Sequence, residues 1–152
     1  MKFLKKLKVG LFLLAMTTFI TDCKSVKGNL DQQDDIAEGK VFVSRFYSAI
    51  KNKNFDGLDE MVSDTLKKIV GPKGISHIAS TINSKVGDYR NYTITRSHTQ
   101  QFKSSENEIV YNYMLQVTYE KGVIVEALNL KKTKQSAIKV IAYNVYSDLL
   151  VN

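Results

Sequence analysis

Apolar positions recur near helical spacing in the first half of the chain and alternate in the second half. Asp34 and Asp35 can cap a helix start, because a side-chain oxygen there can accept from the free amides of a first turn. Ile36, Val41, Phe42, Phe46, Ala49 and Ile50 then recur close to one face as far as Lys51, which predicts a first helix over 36–51. Lys51-Asn52-Lys53-Asn54 breaks the pattern. A second helix is predicted over 55–67, with Leu58, Met61, Val62 and Leu66 on one face. Its acids Asp56, Asp59 and Glu60 come early and Lys67 and Lys68 come late, which matches the helix dipole. Gly71-Pro72 ends that unit, and Pro72 can open a third helix carrying Ile75, Ile78, Ala79, Ile82 and Val86 in one stripe, with Gly87 as its C-cap.

From residue 92 the period becomes two. Residues 92–102 alternate weakly and predict a first strand. Ile109, Tyr111, Tyr113, Leu115, Val117 and Tyr119 alternate strictly and predict a second. Lys121-Gly122 is a tight turn. In the third strand Val123, Val125 and Ala127 fall on one face and Ile124, Leu128 and Leu130 on the other, with a polar turn over 131–135. The last strand, 137–146, is apolar on both faces: Ile138, Val140 and Ala142 on one, Ile141, Tyr143 and Val145 on the other. That pattern predicts a central strand. Helices segregated from strands make the fold class α+β, with three N-terminal helices packed on a curved antiparallel sheet of about four strands.

The first segment reads as an address rather than as structure. Lys2, Lys5, Lys6 and Lys8 form a basic start, and residues 9–20 form an uncharged run of 12 residues, the length of a signal-peptide core. A spanning helix needs about 20 apolar residues. The only cysteine, Cys23, follows as Ile20-Thr21-Asp22-Cys23. This arrangement resembles a bacterial lipoprotein signal of the kind found in Bacteroidota, with Ile20 in the aliphatic position and Asp22 where Gly, Ala or Ser is usual. The resemblance implies cleavage before Cys23, lipidation of its thiol and N-terminus, and anchoring in the envelope. Lys24 after the Cys implies the outer membrane, and the run 24–27 lacks the acids of surface-exposed lipoproteins, implying its periplasmic face. The expected organisation is a signal peptide over 1–22, a lipidated Cys and polar tether over 23–33, and one α+β domain over 34–152.

Charge changes little once the leader is set apart. The formal net charge is +7, and removing residues 1–22 leaves 18 basic and 14 acidic residues with no long basic run. Such a scattered balance argues against a nucleic-acid partner. With one cysteine, no intramolecular disulfide can form.

The helix over 41–52, the element Asn54-Phe55-Asp56-Gly57-Leu58-Asp59-Glu60-Met61-Val62, and the three long C-terminal strands together resemble the nuclear transport factor two-like (cystatin-like) α+β superfamily. The resemblance covers residues 35–150 and implies a sheet wrapped around the first helices to form a pocket. On that fold the pocket lining would be Phe46, Met61, Tyr111, Tyr113, Leu115 and Asn144. In enzymes of the superfamily an Asp or His in the pocket acts as general base, which makes His98 and Asp88 the candidates here. Read from the residues alone, Asp88 is a turn residue after Gly87, His98 an exposed strand residue, and His77 a helix-surface residue. Two histidines 21 positions apart without acids at ligand spacing make no metal site. No phosphate loop or nucleophile elbow is present, and no cofactor is implied. The expected function is therefore non-enzymatic binding of an envelope protein or a small apolar ligand, with a pocket isomerase, dehydratase or cyclase as the alternative.

Overall fold

The computed structural model describes residues 24–103 and 105–150, with side chains from residue 33 onward. The expected signal peptide and Cys23 lie outside the described residues. Four helices precede four strands: α1 (Lys24–Lys51), α2 (Phe55–Glu60), α3 (Asp64–Val70), α4 (Gly74–Val86), β1 (Tyr89–Phe102), β2 (Glu108–Tyr119), β3 (Gly122–Thr133) and β4 (Ser136–Tyr146), followed by a short 3-10 turn, Asp148–Leu150. The α+β class stands, with one helix more than the sequence pattern predicts.

In α1, Gly39, Phe42, Val43, Phe46, Tyr47 and Ile50 are all buried, the three-to-four spacing of a helix with one face in the core. The helix begins well before Asp34: residues 24–33, expected as an irregular tether, are its first turns. Polar composition did not stop it, because extending an existing helix fixes one residue per added hydrogen bond, whereas only the first turn is costly.

The single helix expected over 55–67 is instead two, α2 and α3, separated by three residues. Asn54 caps α2 by accepting from the Gly57 amide at 3.2 Å, and Ser63 caps α3 by accepting from the Leu66 amide at 3.2 Å. Between them the Val140 amide donates to the Met61 carbonyl and the Ser63 amide donates to the Val140 carbonyl, both at 2.9 Å. Val62 thus forms a one-residue parallel bridge to β4. Pro72 lies in the turn before α4, which opens at Gly74 rather than at the proline. The Ser76 amide in its first turn donates to Asp59 Oδ1 at 3.1 Å, so a residue of α2 supplies the cap that Lys73 does not. Gly87 closes α4 at φ 83, a left-handed conformation suited to glycine.

The strands form one antiparallel sheet in the order β1-β2-β3-β4. On β2, Tyr111, Tyr113, Leu115, Val117 and Tyr119 face the helices, and on β3, Ile124, Glu126, Leu128 and Leu130 do so. The turn expected over 131–135 shrinks to two residues, because β3 runs on to Thr133 and β4 starts at Ser136. β4 is an edge strand, not the central strand expected. Its two-sided apolarity has another cause: a bulge near Ile141 shifts the alternation, so that Ile138, Val140 and Tyr143 are buried while Ile141 and Ala142 are half-exposed. Val62 covers part of the outer edge.

Gly39 is where α1 comes closest to the sheet. A Cβ at this position would lie 2.4 Å from Tyr113 Oη and 2.6 Å from Tyr111 Cδ1, both on buried side chains. Alanine gains about 1 kcal/mol in helix propensity over glycine. Overpacking a filled core costs about 1–3 kcal/mol, and here two rigid rings must move. Gly39→Ala is therefore expected to lower the urea midpoint despite its better propensity, whereas Ala37→Gly, at an exposed position two residues away, should cost only about the propensity difference.

Candidate functional site

The interior of the domain is built around one acid. Glu126 faces the helices from β3 and is 0% exposed. Three phenols donate to its carboxylate: Tyr47 from α1 to Oε2 at 2.7 Å, Tyr143 from β4 to Oε2 at 2.7 Å, and Tyr119 from β2 to Oε1 at 2.9 Å. A carboxylate offers about four lone-pair sites, so three donors from three elements nearly satisfy it. Burial pushes the Glu126 carboxyl above its ordinary value, while the three hydrogen bonds pull it the other way. The same burial, together with the neighbouring carboxylate, raises Tyr47, Tyr119 and Tyr143 well above the usual phenol value.

An aromatic shell surrounds this group. The Tyr47 ring lies 4.7 Å from that of Tyr92 and stacks on Tyr89 at 5.6 Å, and Phe46 meets Tyr143 edge-on at 5.5 Å. Desolvation pushes Tyr89 up to about 12. Further along β2, Tyr111 and Tyr113 are also buried, and their hydroxyls have no hydrogen-bond partner among the described residues. Each such orphan costs about 1–3 kcal/mol. The Glu126 carboxyl is sealed from solvent.

Concavities open to solvent lie elsewhere. A groove of about 620 Å³ runs between α1, α2 and the start of β4. Val41, Phe42, Ala49, Met61, Ala137 and Ile138 give it apolar walls, and Glu38, Arg45, Asn52, Asn54, Glu60 and Lys139 give it a polar rim. Val41 stands 59% exposed at its lip. Lys139 Nζ donates to the Glu60 carbonyl at 2.5 Å, joining β4 to α2 at one end.

The residues singled out from the sequence fall in three places. Phe46, Tyr111, Tyr113 and Leu115 come together in the packed interior, 0–2% exposed. Met61 lines the groove. Asn144 is exposed on the opposite face of the sheet, because the bulge in β4 turns Tyr143 inward and its neighbour out. His98 pairs across the strands with Asn112 and is likewise exposed on that outer face. Asp88 lies beside Lys53 at 2.9 Å and accepts from Asn83 Nδ2 at 3.4 Å; the Lys53 ammonium holds its carboxyl below the usual range. His77 is exposed on α4. Among the described residues no group of three His, Cys, Asp or Glu side chains is placed to hold a metal ion.

Sequence reasoning missed Glu126, although a signal was present. In Ile124-Val125-Glu126-Ala127-Leu128-Asn129-Leu130 the glutamate occupies a core-facing position of an alternating strand. An acid there must be paired or hydrogen-bonded, and hydroxyl-bearing tyrosines on neighbouring elements are the natural donors.

Removing the acid while keeping its bulk tests this group. Glu126→Leu leaves three phenols unsatisfied and is expected to destabilise the fold by at least about 3 kcal/mol, whereas Tyr143→Phe, which removes one bond to the carboxyl, should cost about 0.5–1.5 kcal/mol, both read by urea unfolding. The pH dependence follows from the raised carboxyl. The folded state holds the proton more tightly than the unfolded chain, so the Glu126 contribution to stability is greatest below the ordinary glutamate value and is lost as pH rises through the folded one. Wild type should therefore lose stability relative to Glu126→Gln across that window and run parallel to it above.

No protein-family model, no curated protein and no solved structure matches the chain.

Proposed function

We propose that this protein is an exported, lipid-anchored envelope protein whose domain binds a segment of a partner protein, without catalysis, in the groove between α1, α2 and β4. The groove carries the reading. Its volume falls within the usual range of binding sites, and its apolar walls with a ring of polar groups match their usual composition. It follows α1 from Glu38 to Asn52, a rise of about 21 Å at 1.5 Å per residue. That length suits an extended or helical chain segment better than a compact small molecule, which is the second occupant of the same site. The membrane address rests on the basic start, the apolar core and Cys23. Among the described residues no helix is long and apolar enough to cross a membrane.

The same reading takes the domain as nuclear transport factor two-like. Support for the likeness comes from α1 lying along the inner face of the sheet and from Val62, which supplies a short strand between the first helices and the sheet. The alternative, a pocket enzyme with an Asp or His base, finds little support in the candidates: His98 is on the outer face, and Lys53 draws Asp88 toward the ionised form and away from the poised value a general base needs.

Two measurements test the proposal. Mature protein from membrane fractions should carry an acylated Cys23 as its first residue, and Cys23→Ala should release the protein from the membrane; an unmodified N-terminus elsewhere would overturn the anchor. A photo-crosslinking residue at Val41 should yield one discrete adduct in intact cells, absent when the same residue replaces Val123, which is equally exposed but on the opposite face. A defined protein adduct supports a partner segment and a small mass increment supports the small ligand. No adduct from Val41 would sink the binding function.

A further inference from the structure

α1 does more than cover the sheet: its course sets how the domain stands on a surface. Along α1, Tyr47 reaches Tyr119 and Glu126 at one end of the sheet, and Asp35 accepts from Gln101 Nε2 at 2.7 Å near the other. Lys132 pairs with Asp35 at 3.8 Å and with Glu38 on the next turn. The helix axis, followed toward its N-terminus, therefore points to the end of the sheet that carries the β1–β2 and β3–β4 turns. These two turns are joined, since the Lys134 amide donates to the Glu106 carbonyl at 3.0 Å. Beyond Asp35, α1 continues without a break to Lys24, a further 11 residues or about 16 Å. The next residue is Cys23.

We propose that α1 is a stiff strut that holds the domain on the lipid surface in one orientation, with the two joined turns toward the headgroups and the Lys121-Gly122 turn away. The proposal rests on the lipid anchor at Cys23. A flexible tether of ten residues would let the domain tumble at the end of a random coil. A helix that starts at the residue after the anchor and ends in the core transmits its direction to the sheet. The end so presented is suited to a bilayer. Phe102 is 43% exposed at the tip of β1, and beside it two lysines, Lys103 and Lys134, and one acid, Glu106, are exposed. Amphipathic and basic side chains of this kind favour a headgroup layer. The opposite end lies about 36 Å further off along β2, whose 12 residues make about 11 steps of about 3.3 Å.

The test is energy transfer from the protein to a headgroup dye, using full-length acylated protein in vesicles of phosphatidylethanolamine and phosphatidylglycerol. A donor is placed at Gln135→Cys, in the β3–β4 turn, or at Lys121→Cys, in the far turn; both positions are exposed. Transfer is expected to be strong from position 135 and several-fold weaker from 121. Asn29→Pro, which breaks the helix between anchor and domain, should bring the two efficiencies together while leaving the protein membrane-bound. Equal transfer from both positions in the unbroken protein, or a stronger signal from 121, would overturn the strut. Protein that does not sediment with membranes at all would refute the anchor instead, which separates the two failures.

Discussion

Three phenols on one buried carboxylate hold the architecture together. Tyr47 belongs to α1, Tyr119 to β2 and Tyr143 to β4, and Glu126 itself to β3, so a single carboxyl group joins the helix to three of the four strands. Apolar contacts are tolerant of sliding, but these three bonds are directional and sit where water cannot replace them. They fix the depth and rotation of α1 against the sheet. From that placement follow the close approach at Gly39, the aromatic shell around Tyr47, and the face of α1 left over to form the groove.

The interior and the groove differ in character: beneath the sheet the Glu126 carboxyl is 0% exposed, held by phenols from three elements. What the sheet and helices leave open is the seam where α2 turns away from β4, and that seam is long, shallow and mixed in polarity. Charged and apolar side chains line it together, from Glu38 and Arg45 to Phe42 and Met61.

Much of this was legible in the residues. The strict alternation of β2, the stripe of α4 and the glycine at its end all carry strong local signals, and they appear where periodicity puts them. The failures have physical causes. α2 and α3 look like one helix because Leu58, Val62 and Leu66 keep their spacing across the break; only the pairing of residues 61–63 with Val140, 78 positions after Val62, explains the interruption. β4 looks central because periodicity cannot see a bulge. Asn144 was placed on the wrong face of the pocket for the same reason. Glu126 was readable as an anomaly, yet its meaning depended on tyrosines distant in sequence, and Tyr47 lies 79 residues away.

The short bridge at Val62 also governs how copies of this molecule behave when crowded. A sheet of four strands has two free margins, and each is a template on which another chain could add a strand. On β4 the bridge occupies Val140, and the Lys139 ammonium reaches across to α2, so the middle of that margin is covered. On β1 the margin is long, but register shifts interrupt it twice, and Arg90, Thr93, Thr95, Arg96 and Gln100 leave it hydrophilic. Molecules at high concentration meet one another often, and a fold that blunts its margins resists growing into fibrils.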